Sequence, residues 1–268
     1  MTVEAERDDR PSISWSYAHT ECAILCGGRG RRLGGVDKGL LPHRDTTFLG
    51  HLTDVGLTLS PHVMWVRPSM SVAEEIELNV SRDVKHKRLT LRSDQSIREV
   101  QDLAGVGGVL GAIGAALIAT TRPWLWVLAC DLPLLRSDDL LALIDKARLA
   151  HPQTRCVAYK DTHTHKVHPL CALWRSDQAT HLVAEINRRR GGLHSYIQRY
   201  GEVVSTSSLS SSGNLTEELA RPVISPFFNV NYPEDLARVP ELIAAQDDSV
   251  QGDGERVLDP STSRKSTR

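Results

Sequence analysis

With 268 residues, 40% of them hydrophobic and 24% charged, the chain has ordinary globular composition and length for a sizeable core, which excludes fibrous and wholly disordered classes. Its 32 basic and 33 acidic residues leave a formal net charge of -1, so no overall field draws in nucleic acid or an anionic membrane, and any phosphate chemistry has to be local. No apolar run approaches membrane-spanning length, and the polar, acidic start lacks the layout of a secretory signal; the expected compartment is the cytoplasm, where the five cysteines read as reduced core residues.

Residues 1–19 carry Glu4, Glu6, Arg7, Asp8, Asp9 and Arg10 with little to bury and are expected to form a disordered tail. Cys22 to Cys26 reads as a short buried strand that runs into Gly27, Gly28, Gly30, Gly34 and Gly35. Phe48, Leu49, Leu52, Val55 and Leu59 share one helical face, with Thr46 or Thr47 as cap, and His62 to Val66 follows as a second strand. Leu110 to Ala119, small and apolar, suits a helix packed closely on a sheet, and Trp124 to Cys130 is a strongly buried strand. Ser137, with Asp138 and Asp139 behind it, is predicted to cap the next helix. Arg155 to Tyr159, Leu170 to Trp174 and Phe227 to Val230 are further strands, Ser205 to Gly213 is a serine-rich surface loop, and residues 246–268 are a second disordered tail. Strand alternating with helix predicts parallel pairing in a single three-layer α/β/α domain over residues 20–245, with ligands beyond the carboxyl ends of the strands.

The loop after the first strand, Leu25 to Leu41, concentrates six glycines, three arginines and Lys38. Glycines let backbone N–H groups approach a ligand and the cations neutralise phosphate oxygens, so the loop points to a nucleoside triphosphate. Neither the dinucleotide fingerprint nor a Walker loop fits, because Leu33 stands at the third glycine position and no Gly-Lys-Ser/Thr occurs. Asp131, at the end of the most apolar strand, can hold Mg²⁺ in the crevice, or cap the turn before Leu132 and Pro133.

The spacing Gly27-Gly28-x-x-x-Arg32-Leu33-Gly34-Gly35-x-Asp37-Lys38 resembles the signature loop of the molybdenum cofactor guanylyltransferases, with Cys26 and Leu33 at positions where that family carries alanine and methionine. Three later segments continue the resemblance: Gly107-Gly108-Val109-Leu110-Gly111, with glycine for proline; Cys130-Asp131-Leu132-Pro133; and Phe228-Asn229-Val230-Asn231-x-Pro233-Glu234-Asp235. The resemblance implies a Rossmann-like nucleotidyltransferase fold with a mostly parallel sheet. It implies that Leu25, Cys26, Gly27, Gly28, Lys38, Asp102 and Asp131 bind GTP, that Arg32, Lys38 and Asp131 serve catalysis, and that Asp131 is the Mg²⁺ ligand. Asp94 competes with Asp102 for the second aspartate. The family's asparagine after the second strand is replaced here by Val66-Arg67-Pro68. His168, Asn229 and Asn231 belong to the pterin side.

The reaction so implied moves GMP from GTP to the phosphate of Mo-molybdopterin and releases pyrophosphate; the attacking pterin phosphate is already anionic and needs no general base. Molybdopterin-biosynthesis proteins or molybdoenzyme chaperones are the partner proteins such a role would bring. Two other readings share the loop, lysine and aspartate: cytidylyl or sugar- or polyol-phosphate nucleotidyl transfer, and a nucleotide-binding module without turnover. His163 and His165 read as a polar hairpin tip, and Arg188 to Gly192 as a basic helix end or a contact to the pterin phosphate.

Overall fold

The computed structural model describes residues 10–26, 31–68, 91–162, 164–206 and 225–254, the side chains of Arg31 and of residues 249–254 excepted. In chain order the elements are α1 (Pro11–His19), β1 (Thr20–Leu25), β2 (Pro42–His43), β3 (Thr46–Thr47), α2 (Phe48–Leu59), β4 (His62–Arg67), β5 (Ser96–Gln101) and α3 (Gly108–Ala119). They continue with β6 (Trp124–Ala129), α4 (Leu141–Arg148), β7 (Cys156–Lys160), β8 (Val167–Arg175), α5 (Ala179–Arg189), α6 (Leu193–Tyr200), β9 (Gly201–Ser205) and α7 (Pro233–Gly254).

Seven strands form one sheet in the order β5-β4-β1-β6-β8-β7-β9. Every residue of β1 and β6 is buried, as expected for central strands covered on both faces. Pairing is parallel except at β8, which runs antiparallel to both β6 and β7. The chain reverses there through a tight turn, in which the Asp161 N–H donates to the Lys166 carbonyl at 2.7 Å, and so short a link leaves no room for the crossover that parallel strands need. Ile13 of α1, Leu49 and Leu52 of α2, and Leu143 and Ile144 of α4 pack with Ile24 and Trp126 on one face of the sheet. Ile113 of α3, Leu182 of α5 and Ile197 of α6 pack with Leu25 and Val127 on the other, which gives the expected three-layer, mostly parallel α/β architecture. All five cysteines are free and buried.

A third, smaller core binds α7 to the site: Leu41, Phe48, Leu134, Val230, Val239 and Ile243 close on one another at the carboxyl end of the sheet. It corrects the boundary at residue 245. The helix continues to Gly254, the Gln246 amide donates to the Leu134 carbonyl at 3.0 Å, and Arg44 grips both oxygens of Asp247 at 2.7 Å. Residues 255–268 lie outside the described residues.

The amino-terminal expectation is corrected as well. Pro11 opens α1, where a missing N–H costs nothing, and Ile13 and Tyr17, one helical turn apart, are buried. The Trp126 indole N–H donates to Ser16 Oγ at 3.0 Å, fastening this helix to β6; residues 1–9 lie outside the described residues.

Two smaller expectations also change. Ser137 makes no cap; Asp139 does the work by accepting the Arg136 N–H at 2.8 Å, and α4 begins only at Leu141. Phe227 to Val230 is not a strand but an irregular segment, tied to the end of β6 by the Val230 N–H donating to the Asp131 carbonyl at 3.2 Å. Of the serine-rich loop, residues 207–213 lie outside the described residues.

Ile13→Ala tests whether α1 belongs to the domain. Its side chain is 1% exposed, and emptying such a site costs about 2–5 kcal/mol. Urea denaturation is expected to show that loss; an unchanged midpoint would mean that the segment does not pack.

Candidate functional site

A cavity of about 700 Å³ opens at the carboxyl ends of the parallel strands. One flank is built from Leu25, Val66, Arg67, Pro68, Asp102 and Gly108, and the other from Lys166, His168, Leu170, His194, Phe227 and Asn229, while Lys38 and Asp131 belong to the wall between these groups in the sheet order. In open α/β sheets this end of the strands is where ligands are held.

Local chemistry fixes Lys38. Gly34 and Gly35 take φ of +75° and +85°, values that glycine alone adopts without strain, and turn the chain toward Asp37. Asp37 Oδ1 accepts the Gly39 N–H at 2.9 Å and so caps the 3-10 turn that starts at Lys38. From that turn the Lys38 ammonium donates to Asp131 Oδ2 and to Asn231 Oδ1, both at 2.8 Å. The side chains of Lys38 and Asp131 are only 15% and 19% exposed, so the pair is strengthened by its surroundings. Asp131 reaches this point because the Cys130 N–H donates to the Leu25 carbonyl at 3.3 Å, prolonging the β1–β6 ladder past its last paired residues.

The segment after Asp131 is held by two imidazoles. His43 Nε2 donates to the Pro133 carbonyl and His51 Nε2 to the Leu135 carbonyl, each at 2.9 Å, with the two rings stacked 4.0 Å apart. Burial lowers the pKa of both, that of His51 to about 4, so each stays neutral and keeps the proton it donates.

Asp102 lines the cavity, and its N–H donates to the Arg67 carbonyl at 2.9 Å. Asp94 lies instead beside α1, accepting from the Tyr17 hydroxyl at 2.7 Å and facing Arg92. Leu25 lines the cavity; Cys26 is buried, its N–H donating to the Val66 carbonyl at 2.8 Å. Gly27, Gly28 and Arg29 lie outside the described residues. Arg32 is exposed on a 3-10 turn, its guanidinium 5.2 Å from the Tyr232 ring. His168 stacks on Phe227 at 4.2 Å, and burial lowers its pKa. Asn229 lines the cavity, but Asn231 stands with Lys38 rather than on the His168 flank. Arg188 and Arg189 turn to Glu185, whose carboxyl they hold down to about 2, with the Arg188 hydrogen bond the larger cause.

The sequence analysis named Arg67 only within the segment that replaces the family's asparagine, and it gave no site role to Phe227, Lys166 or His194. Arg67, a charge at the very end of a buried strand, carried a readable signal; the others did not. Gly108 has φ +68°, a value closed to proline, so the replacement noted in the sequence goes with a different backbone at the start of α3.

Known proteins resemble this chain along most of its length. Residues 22–203 match the family described as MobA-like NTP transferase domain. The molybdenum cofactor guanylyltransferase of Mesorhizobium japonicum is 28% identical over 82% of this chain and 94% of its own length, and that of Pseudomonas syringae pv. tomato is 31% identical over 52% and 61%. Among solved structures, molybdopterin-guanine dinucleotide biosynthesis protein A from Archaeoglobus fulgidus superposes with a TM-score of 0.59 at 21% identity, covering 84% of this chain and 99% of the other. The 2-C-methyl-D-erythritol 4-phosphate cytidylyltransferase of Thermus thermophilus superposes with 0.51 at 11% identity, covering 84% and 99%; both show the fold.

The histidine clamp has a pH signature. An unfolded chain protonates His51 near its ordinary pKa of about 6.5 while the folded protein resists until about 4, so the stability it contributes is present above 6.5 and is lost as pH falls through that window. Denaturation of wild type and His51→Gln between pH 7 and 4 is expected to show a shallower decline in the variant; equal slopes would remove His51 from the account.

Proposed function

This chain belongs to the MobA-like NTP transferase family and is a nucleotidyltransferase, and from that premise we propose that it transfers GMP from GTP to the phosphate of Mo-molybdopterin. The observation that carries the reading is the Lys38–Asp131 contact at the carboxyl ends of β1 and β6, with unlike flanks of the cavity for two substrates. On the β1–β4 flank, Leu25, Asp102 and the turn at Gly108 would take the nucleoside; the resemblance adds Cys26, Gly27 and Gly28, the last two outside the described residues. On the other, His168 on Phe227 offers a flat aromatic surface for the pterin, with Lys166 and His194 beside it and Asn229 at the rim.

A phosphate oxygen of the pterin attacks the α-phosphorus of GTP. A new P–O bond forms, the bond from Pα to the oxygen bridging to Pβ breaks, and pyrophosphate leaves with the electron pair. The nucleophile is already anionic, so positioning and charge neutralisation carry the step. Lys38 meets the triphosphate by exchanging its present carboxylate partner for phosphate oxygens, and Asn231 keeps the ammonium aimed while it does so. Arg32, on its exposed turn, would meet the departing pyrophosphate.

Mg²⁺ of the kind that nucleotide sites use needs one or two carboxylates and completes its shell with phosphate oxygens and water. Asp131 fits that demand; among the described residues no cluster of three His, Cys, Asp or Glu forms a site made of protein alone. The ion would supply charge to the phosphates and orient them there. Among the described residues no helix is long and apolar enough to cross a membrane.

Pyrophosphate release with molybdopterin, Mg²⁺ and each nucleoside triphosphate tests the reading: GTP is expected to be the preferred donor. Preference for CTP would make the chain a cytidylyltransferase, and binding without release a non-catalytic module. Asp131→Asn and Lys38→Ala are each expected to lower kcat/KM on the order of a hundredfold with an unchanged circular dichroism spectrum. Loss of folding in Asp131→Asn would assign that residue to the turn alone.

A further inference from the structure

Arg67, the last residue of β4, lines the cavity on the flank of Leu25, Val66 and Asp102, and its side chain is only 7% exposed. A guanidinium so placed must satisfy its donors. Two of its three nitrogens do so with carboxylates: Nη1 faces Asp37 Oδ2 at 3.4 Å and Nε faces Glu99 Oε1 at 3.2 Å. The third, Nη2, is buried without a hydrogen-bond partner among the described residues. A planar group held at two corners keeps its third at one place in the cavity wall, where a base that parts the wall slightly meets it.

The surroundings say what it suits. Two carboxylates already face the single positive charge, and Asp102, a third carboxylate, lines the same flank. Anionic phosphate gains little beside such a group, whereas a neutral carbonyl acceptor gains a hydrogen bond and relieves the buried, unpaired donor. Guanine presents O6 and N7 as acceptors on one edge, where adenine presents an amino group at position 6 that would set donor against donor.

We propose that Arg67 is the base-reading residue of this site, its Nη2 donating to O6 of the purine ring and thereby selecting 6-oxopurine nucleotides over adenine nucleotides. The inference rests on the guanylyl reading above and deepens it. Arg67 also ties Asp37, and through its turn Lys38, to β4 and β5, so base recognition and phosphate contact share one framework.

Equilibrium competition against a labelled GTP, without acceptor, separates this from a merely structural role. GTP and ITP both carry O6, and ATP does not. Arg67→Gln loosens the Lys38 turn for every nucleotide and removes the O6 contact only for GTP and ITP, so these two are expected to weaken about tenfold more than ATP and the preference to collapse. Arg67→Lys, which keeps a cation but cannot serve two carboxylates and a base together, is expected to do the same if Arg67→Gln folds poorly. Equal weakening of all three nucleotides, or no change in GTP, would overturn the inference alone. Wild-type protein that prefers CTP or ATP to GTP would overturn the guanylyl reading and this inference with it.

Discussion

A single ammonium organises this molecule. Lys38 comes from the loop after β1, Asp131 from the end of β6 and Asn231 from the segment before α7, and its partners lie 93 and 193 positions further along the chain. Each needs its own support: Asp37 caps the turn that aims the lysine, the β1–β6 ladder carries Asp131 forward, and Asp235 accepts the Asn231 N–H at 2.9 Å. Withdrawing any one charged or polar partner leaves the others desolvated without compensation, which is why this contact demands order from three distant segments.

The sheet gives that order its direction. With β1 between β4 and β6, Cys26, Arg67 and Asp131 emerge side by side from parallel strands. The antiparallel β8 begins at this same end, so His168 and Leu170 are delivered to the cavity by a strand start, while Asp131 arrives from a strand finish. One edge of the cleft is thus assembled from carboxyl termini and the other from an amino terminus, and the two flanks differ in backbone as well as in side chain.

Much of this was legible in the residues. The buried runs at Cys22 and Trp124, the capped helix at Thr47, and the ordered motifs around Lys38, Asp131 and Asn229 each carry a local signal: hydrophobic continuity, a hydroxyl before a periodic face, glycine with cations. Apart from Arg67, what escaped had none. Strand β5, at the sheet edge, is exposed except at the half-buried Ile97 and Val100, so Ser96 to Gln101 shows no apolar run. Helix α1 buries Ile13 and Tyr17 amid polar neighbours, too short a stretch for its period to stand out. Strand β8 reverses direction because of a turn, and direction leaves no trace in composition. Asn231 shares a motif with Asn229 yet serves Lys38, because Val230 between them is pinned to the Asp131 carbonyl and the two amides diverge in role.

The small core of Leu41, Phe48, Leu134, Val230, Val239 and Ile243 joins the lysine turn, the start of α2, the loop after Asp131 and α7. None of its members other than the segment of Val230 adjoins a residue assigned to substrate, yet all of them set where such residues stand. Evolution therefore has a layer in which turnover and substrate preference can drift by small volume exchanges, at positions an inspection of the cleft alone would overlook. In a laboratory selection on this scaffold, Val239 and Ile243 of α7 are where compensating changes would accumulate.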